Sequence, residues 1–338
     1  MDTIIRKEDD MNYYSGLDYI KIDIANQYGI AGKTFKQRIA WVESKKKNLG
    51  NYMNRAKNPF RYAAAVMALD EVMAGKSTGY LVGLDASASG IQLMSALTGC
   101  VKGAANTGLA GKRPKDVYSI ITDVMNNLLN SSTTYERNDV KGATMTSFYG
   151  SKRQPKLAFG EDTPELKAFY QARELVAPGA AMLMKEMQAA WQPYALEHSW
   201  TMPDGFKVKK KVKAMIDTKI EIDELPGHPC FTYRHVENVG LEEGRSLEAD
   251  IIQSCDGYVV REMSRRCKFD MQFIHDEYMA HPNNMNQVRQ TYIDILAELA
   301  DGTLINSILS EITNTDIRIK PITKKLGDQI RRSEYAIH

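Results

Sequence analysis

The chain is poor in cysteine, with 4 in 338 residues. Cys100, Cys230, Cys255 and Cys267 stand far apart and none belongs to a Cys-x-x-Cys pair. That excludes the usual zinc ribbons and a disulfide scaffold, and leaves reduced thiols in a cytoplasmic compartment as the expectation. The first ten residues, MDTIIRKEDD, are charged from the outset and lack the apolar core of a signal peptide. The longest uncharged run, 86–101, is rich in Ser, Gly and Thr, so no membrane span is expected. Charge of one sign is also missing: 44 basic minus 42 acidic residues leaves +2. Any nucleic-acid surface must therefore come from uneven placement of charge. Internal repeats and low-complexity tracts are absent as well.

What is present is an ordinary globular composition, 43% hydrophobic and 25% charged. The length suffices for a large core and more than one subdomain. Residues 17–24 alternate in polarity, which predicts a strand. Apolar spacing from Thr34 to about Met73 predicts helix, broken at Pro59. A short strand is expected over 80–84, then helices over 90–97, 114–130 and 137–149, and helix over 164–199 broken at Pro178-Gly179. The period then changes: 206–223 and 230–238 read as strands around the turn Leu225-Pro226-Gly227-His228-Pro229. Helix returns after 246, with a strand over 268–275 and a helix over 283–300. Helices and strands without a regular βαβ alternation predict a mixed α+β architecture.

Two carboxylates follow apolar strands. Asp85 precedes Ala86-Ser87-Ala88-Ser89-Gly90-Ile91-Gln92, and Asp276 stands in Phe273-Ile274-His275-Asp276-Glu277. Carboxylates fixed where strands converge can share two Mg2+ ions roughly 3.5–4 Å apart, one activating a hydroxyl and one neutralising a leaving phosphate. The plainer alternative is a helix-capping Asp85 and a surface Asp276, and the residues taken singly leave that open.

Between them, Arg137, Lys141, Met145 and Tyr149 recur every fourth residue and share a broad helix face. Two cations at one end and an aromatic ring at the other match the polarity of a nucleoside triphosphate. Arg137 would fork onto phosphate, Lys141 would act as a point charge, and Gly150 would end the helix beside Tyr149. An exposed basic helix with a core tyrosine is the alternative.

Asp85-x-Ser87-x-Ser89-Gly90-Ile91-Gln92, Arg137-x3-Lys141-x3-Met145-Thr146-x2-Tyr149-Gly150-Ser151-Lys152 and His275-Asp276 together resemble motifs A, B and C of the phage and mitochondrial single-subunit DNA-directed RNA polymerases. Pro203-Asp204-Gly205-Phe206 resembles the entry to that family's specificity hairpin. Ser254-x-Asp256-Gly257 resembles the end of its fingers, and 333–338 its C-terminal foot. The resemblance implies a right-hand fold, with palm over 1–112 and 253–338 and fingers over 113–252. It implies template DNA, an RNA transcript and ribonucleoside triphosphates as partners, and two Mg2+ ions on Asp85 and Asp276. Lys141 would bind phosphate and act as general acid, with Arg137 beside it, and Tyr149 would sense the ribose 2′-OH. Met145, Gly150 and His275 would line the substrate site, with Gln253 where the family carries a minor-groove histidine.

A family A DNA polymerase shares the Arg-x3-Lys-x7-Tyr-Gly spacing and the His-Asp-Glu of motif C. It differs in motif A, where a glutamate five residues after the aspartate blocks a 2′-OH; here that position is Gly90. A non-catalytic DNA-binding subunit with a decayed site is the third reading, disfavoured because each residue the chemistry requires is present. Glu277 is either a third metal contact or a spectator. The lysines at 207, 209, 210, 211 and 213 suggest a β-ribbon over 206–238 lying on DNA, or else an edge guarded against aggregation. The palm-like sequence begins near Tyr19, so the thumb and N-terminal domain are expected on a second polypeptide docked near residues 1–60, as in a heterodimeric phage enzyme working in the host cytoplasm.

Overall fold

The computed structural model describes residues 11–130, 134–242 and 246–338. The charged N-terminal decapeptide thus lies outside the described residues. The chain opens with α1 (Gly16–Tyr28), where a strand was expected. The apolar alternation of 17–24 reflects burial on nearly all sides: Tyr19, Ile20, Ile22, Ile24 and Ala25 are all buried. Local chemistry decides for helix. Ser15 and Asp18 form a reciprocal capping box, and Gly29 closes the other end at φ 112. Such a cap stabilises a helix by about 1 kcal/mol.

Next come α2 (Phe35–Lys45), a 3₁₀ stretch (Lys46–Arg55) and α3 (Pro59–Met73), with Pro59 at the start of its helix as the break required. β1 (Val82–Asp85) leads into α4 (Ser89–Leu97) and the short α5 (Val101–Asn106). The following helices are α6 (Val117–Leu129), α7 (Arg137–Ser147), α8 (Arg153–Phe159), α9 (Pro164–Val176) and α10 (Pro178–Ala189). The helical reading of 164–199 fails at its end, because Glu197–Thr201 is strand β2. It pairs antiparallel with β3 (Lys207–Lys211) around a tight turn at Gly205, φ 82.

β4 (Ala214–Glu221) and β5 (Cys230–Glu237) form a separate two-stranded ribbon. The lysine-rich strand expected in that ribbon therefore lies elsewhere: Lys207, Lys209, Lys210 and Lys211 belong to the β2–β3 pair, where Lys210 is salt-bridged to Asp250 at 2.6 Å. Alternation alone predicts a strand but not its partner. α11 (Leu247–Arg266), β6 (Met271–Ile274), β7 (Glu277–Ala280), α12 (Met285–Asp301), α13 (Leu304–Thr313) and α14 (Leu326–Ile330) complete the chain.

The architecture is mixed helix and sheet. A three-stranded antiparallel sheet, ordered β1-β7-β6, stands among helices. α1 and α12 pack on it, and α4, which follows the edge strand β1, packs on α10, α11 and α12. The last residues close this centre: Tyr335, Ala336 and Ile337 are buried, Ile337 bridges to Ala86, and the His338 N–H donates to the Asp85 carbonyl at 3.0 Å. Gln92, fully buried, ties the same place together. Its amide nitrogen donates to the carbonyls of Thr107 (3.0 Å) and Ala336 (2.9 Å), and its oxygen accepts from Tyr292 at 2.8 Å. A buried amide with its bonds made fixes geometry where an unmade bond would cost 1–3 kcal/mol or so. No described helix is long and apolar enough to cross a membrane.

Candidate active site

The sheet brings the two expected carboxylates together from opposite halves of the chain. Asp85 ends β1, and Asp276 is the second residue of the two-residue turn between β6 and β7. Ala86 N–H donates to the Asp276 carbonyl at 3.1 Å, which locks the turn onto the end of β1. The turn needs His275 in left-handed backbone, φ 55, a conformation that exposes its ring. Asp85 is not a helix cap. The residue before α4 is Ala88, itself left-handed at φ 60, and no side chain caps that helix.

The two carboxyls are close enough to hydrogen-bond to one another. Desolvation in the cleft, then the charge of Asp276, then that of Glu277, hold the Asp85 carboxyl well above the usual range. The side chain still reaches solvent, which softens the cost of burial and leaves the crowding of like charge as the main cause. Two hard oxygen donors forced together are what a divalent cation relieves, and the donor set suits Mg2+. A second acidic group lies far along the chain, where Glu221, Asp223 and His228 come within 4.8 Å of one another at the exposed tip of the β4–β5 ribbon. All three are exposed.

A third carboxylate joins the pair. Asp256 on α11 is pushed up to about 7, by burial first and then by the charge of Asp276. It lies within hydrogen-bonding reach of Ser89, and so does the Tyr149 hydroxyl. Neither role was read from the sequence. Asp256 was seen only as part of a resemblance, and a lone Asp-Gly on a helix carries no separate signal. Gln253 is exposed on the same helix, three residues earlier and so on about the same side.

α7 supplies the cations. Its end obeys a Schellman pattern: Ser151 N–H reaches the Thr146 carbonyl (3.0 Å) and Gly150 N–H that of Ser147 (3.3 Å), with Gly150 at φ 86. Phe148 and Tyr149 therefore leave the helix, two residues short of the expected end, and Tyr149 turns back onto α4. A Cβ built on Gly90 would lie 2.6 Å from the Tyr149 hydroxyl and 2.9 Å from its ring. Burial, followed by the charge of Asp256, raises the Tyr149 pKa, keeping the hydroxyl protonated.

Arg137 and Lys141 lie over the ring of Tyr118, 5.4 and 5.7 Å from its centroid. Tyr118 in turn is raised to about 12, by burial and then by the charge of Asp276. The ring thus lies under both cations and also feels the charge of Asp276, a link that no sequence spacing records. Arg137 is engaged by Asp116, the cap of α6; burial is the largest influence on Asp116 and pushes its carboxyl up, but the hydrogen bonds from Arg137 and Ser119 and the Arg137 charge together hold it below the ordinary value. Lys141 has no carboxylate within salt-bridge distance among the described residues. Met145 is exposed on the same face. Glu277 turns away from the pair, salt-bridged to Arg61 at 2.6 Å.

Residues 12–157 match the model of the family described as DNA-dependent RNA polymerase. Over 165 residues the chain is 28% identical to the mitochondrial DNA-directed RNA polymerase of Schizosaccharomyces pombe, covering 40% of this chain and 14% of that protein. The matched region holds β1, Asp85, α4 and the whole of α7.

Proposed function

We propose that this chain carries the catalytic centre of a DNA-directed RNA polymerase, which joins ribonucleotides on a DNA template and releases pyrophosphate. The observation that carries the reading is the meeting of Asp85 and Asp276 at one end of the sheet, with Lys141 of α7 over the Tyr118 ring, which feels the charge of Asp276, and Tyr149, just past the helix, against Gly90. Divalent metal use accompanies the family in general; two Mg2+ ions on Asp85 and Asp276 are our assignment. Bound there, they would lower the pKa of the attacking 3′-hydroxyl and offset charge on the leaving group.

The chain's own residues do the rest. Asp85 and Asp276 fix the position of the reacting phosphate from a rigid turn. Lys141, with no acidic partner among the described residues, meets the triphosphate and hands a proton to the departing pyrophosphate. Arg137 grips the phosphates by exchanging its Asp116 partner for them. Tyr149 offers its hydroxyl to the ribose 2′-OH, while Met145, Gly150, Gln253 and His275 border the nucleotide and the template. In this reading 1–112 and 253–338 form the palm and 113–252 the fingers.

A DNA polymerase is the second reading. Gly90 speaks against it: the Tyr149 ring already fills the space a glutamate there would need. Primed-template extension with ribo- or deoxynucleotides separates the two.

The chain spans 14% of the curated relative it matches. A second polypeptide supplying the thumb and upstream domain, in the cytoplasm of an infected host, completes the proposal. Phe60, 86% exposed, and Met67, 65% exposed, stand seven residues apart on one face of α3 and give such a partner an apolar surface. Size measurement of the native assembly tests it: a lone chain that transcribes from promoters unaided contradicts the need for a partner.

A further inference from the structure

Glu277 stands directly opposite Asp85 in the β1–β7 register. Residues opposite one another in an antiparallel pair project from the same face, with Cβ atoms about 5 Å apart. Besides Asp256, a further carboxylate is therefore anchored beside the metal-binding pair, on a side chain long enough to reach it. Its charge is felt at Asp85.

Its position is nonetheless turned the other way. The carboxylate lies back across β1, filling the space where a Cβ on Gly83 would stand, with its carboxyl carbon 3.1 Å from that point. There Arg61 of α3 grips both oxygens, Nη2 to Oε1 at 2.6 Å and Nη1 to Oε2 at 3.4 Å. A second acid acts on Arg61: Asp23 of α1, 1% exposed, adds its charge, and is fixed by the Tyr80 hydroxyl (2.6 Å) and the Gln27 amide (2.8 Å). Gly83 makes this possible, because a glycine inside a strand admits close approach from a neighbour.

We propose that Arg61 is a positioning residue that holds Glu277 out of the metal-binding cleft, so that Asp85 and Asp276 meet the cations without a third ligand from this strand. The idea rests on the reading of Asp85 and Asp276 as metal ligands. It assigns Glu277 a use that neither a ligand nor a spectator has: a counter-charge clamped to α3, tying the metal-bearing hairpin to the helix pair α1–α3.

The test is equilibrium Mn2+ binding, followed by the electron paramagnetic resonance of the free ion, on the chain in its native assembly without nucleotide. Asp85→Asn with Asp276→Asn must abolish binding; if it does not, the reading of the metal site falls, independently of Arg61. With that control met, Glu277→Gln is expected to bind within about twofold of wild type. Arg61→Met releases the carboxylate into the cleft and is expected to tighten binding about fivefold or more, since affinity rises with ligand charge. Arg61→Met with Glu277→Gln is expected to return to the wild-type value. Should Arg61→Met fail to fold, Arg61→Gln takes its place. A fivefold weakening in Glu277→Gln would make Glu277 a ligand already and overturn the proposal. So would unchanged or weaker binding in the folded Arg61 variant.

Discussion

The hydroxyl of Tyr149 stands 2.6 Å from the point where a Cβ on Gly90 would lie. Contact this close means that position 90 leaves room for Tyr149 only by carrying no side chain. Gly90→Ala is expected to displace the ring and lower kcat/KM for ribonucleotides about tenfold, because a small misplacement at a reacting centre is costly. Tyr149→Phe keeps the ring and loses one hydrogen bond. It is expected to raise the deoxy-to-ribonucleotide ratio by about tenfold or more, as one buried polar contact is worth about 1–3 kcal/mol. Equal ratios in mutant and wild type would remove Tyr149 from sugar selection.

Asp256 provides a pH-dependent check. Its carboxyl is pushed up to about 7, chiefly by burial and then by Asp276, whereas an unfolded aspartate titrates near about 3.9. Between those values the native state holds more protons than the unfolded chain, so stability falls as pH rises through that window. Asp256→Asn removes this loss. In EDTA its melting temperature is expected to exceed wild type by a few degrees at about pH 8, with the gap closing by about pH 4. Melting curves that coincide at both pH values contradict the half-buried, charge-crowded position.

The hairpin gives a third expectation. Among the described residues, β4 and β5 pair with each other alone, and most of their residues are exposed. Deleting 224–230 is expected to leave the melting temperature unchanged while promoter choice is damaged and extension from a primed scaffold is spared. Transcription from competing templates, alongside primed extension, decides this. Loss of both activities would make the ribbon structural.

Much of this was legible in the residues. Pro59, Pro178 and the turn at 225–229 punctuate the chain where the structure breaks, and Asp85 and Asp276 end up together as the strand-end reading required. The four-residue spacing of α7 put both cations over one ring, although the ring is Tyr118 of another helix. Misreadings came where tertiary burial overrides a local pattern. Residues 17–24 alternate because both sides of a helix are covered, and the lysines of β3 pair with a strand hidden in a helix-like segment. Asp256, Ser89 and the Arg61–Glu277 bridge join residues 167 and 216 positions apart or lie beside them, and no local signal records such contacts.

The most direct test of the account is primed-template RNA extension by Asp276→Asn in the native assembly, measured as a single-turnover rate with Mg2+. The side chain keeps its shape and loses the charge that binds metal, so the rate is expected to fall by about a thousandfold or more, with the melting temperature in EDTA no lower than wild type. A rate within about tenfold of wild type would contradict the assignment of this carboxylate, and with it the catalytic centre.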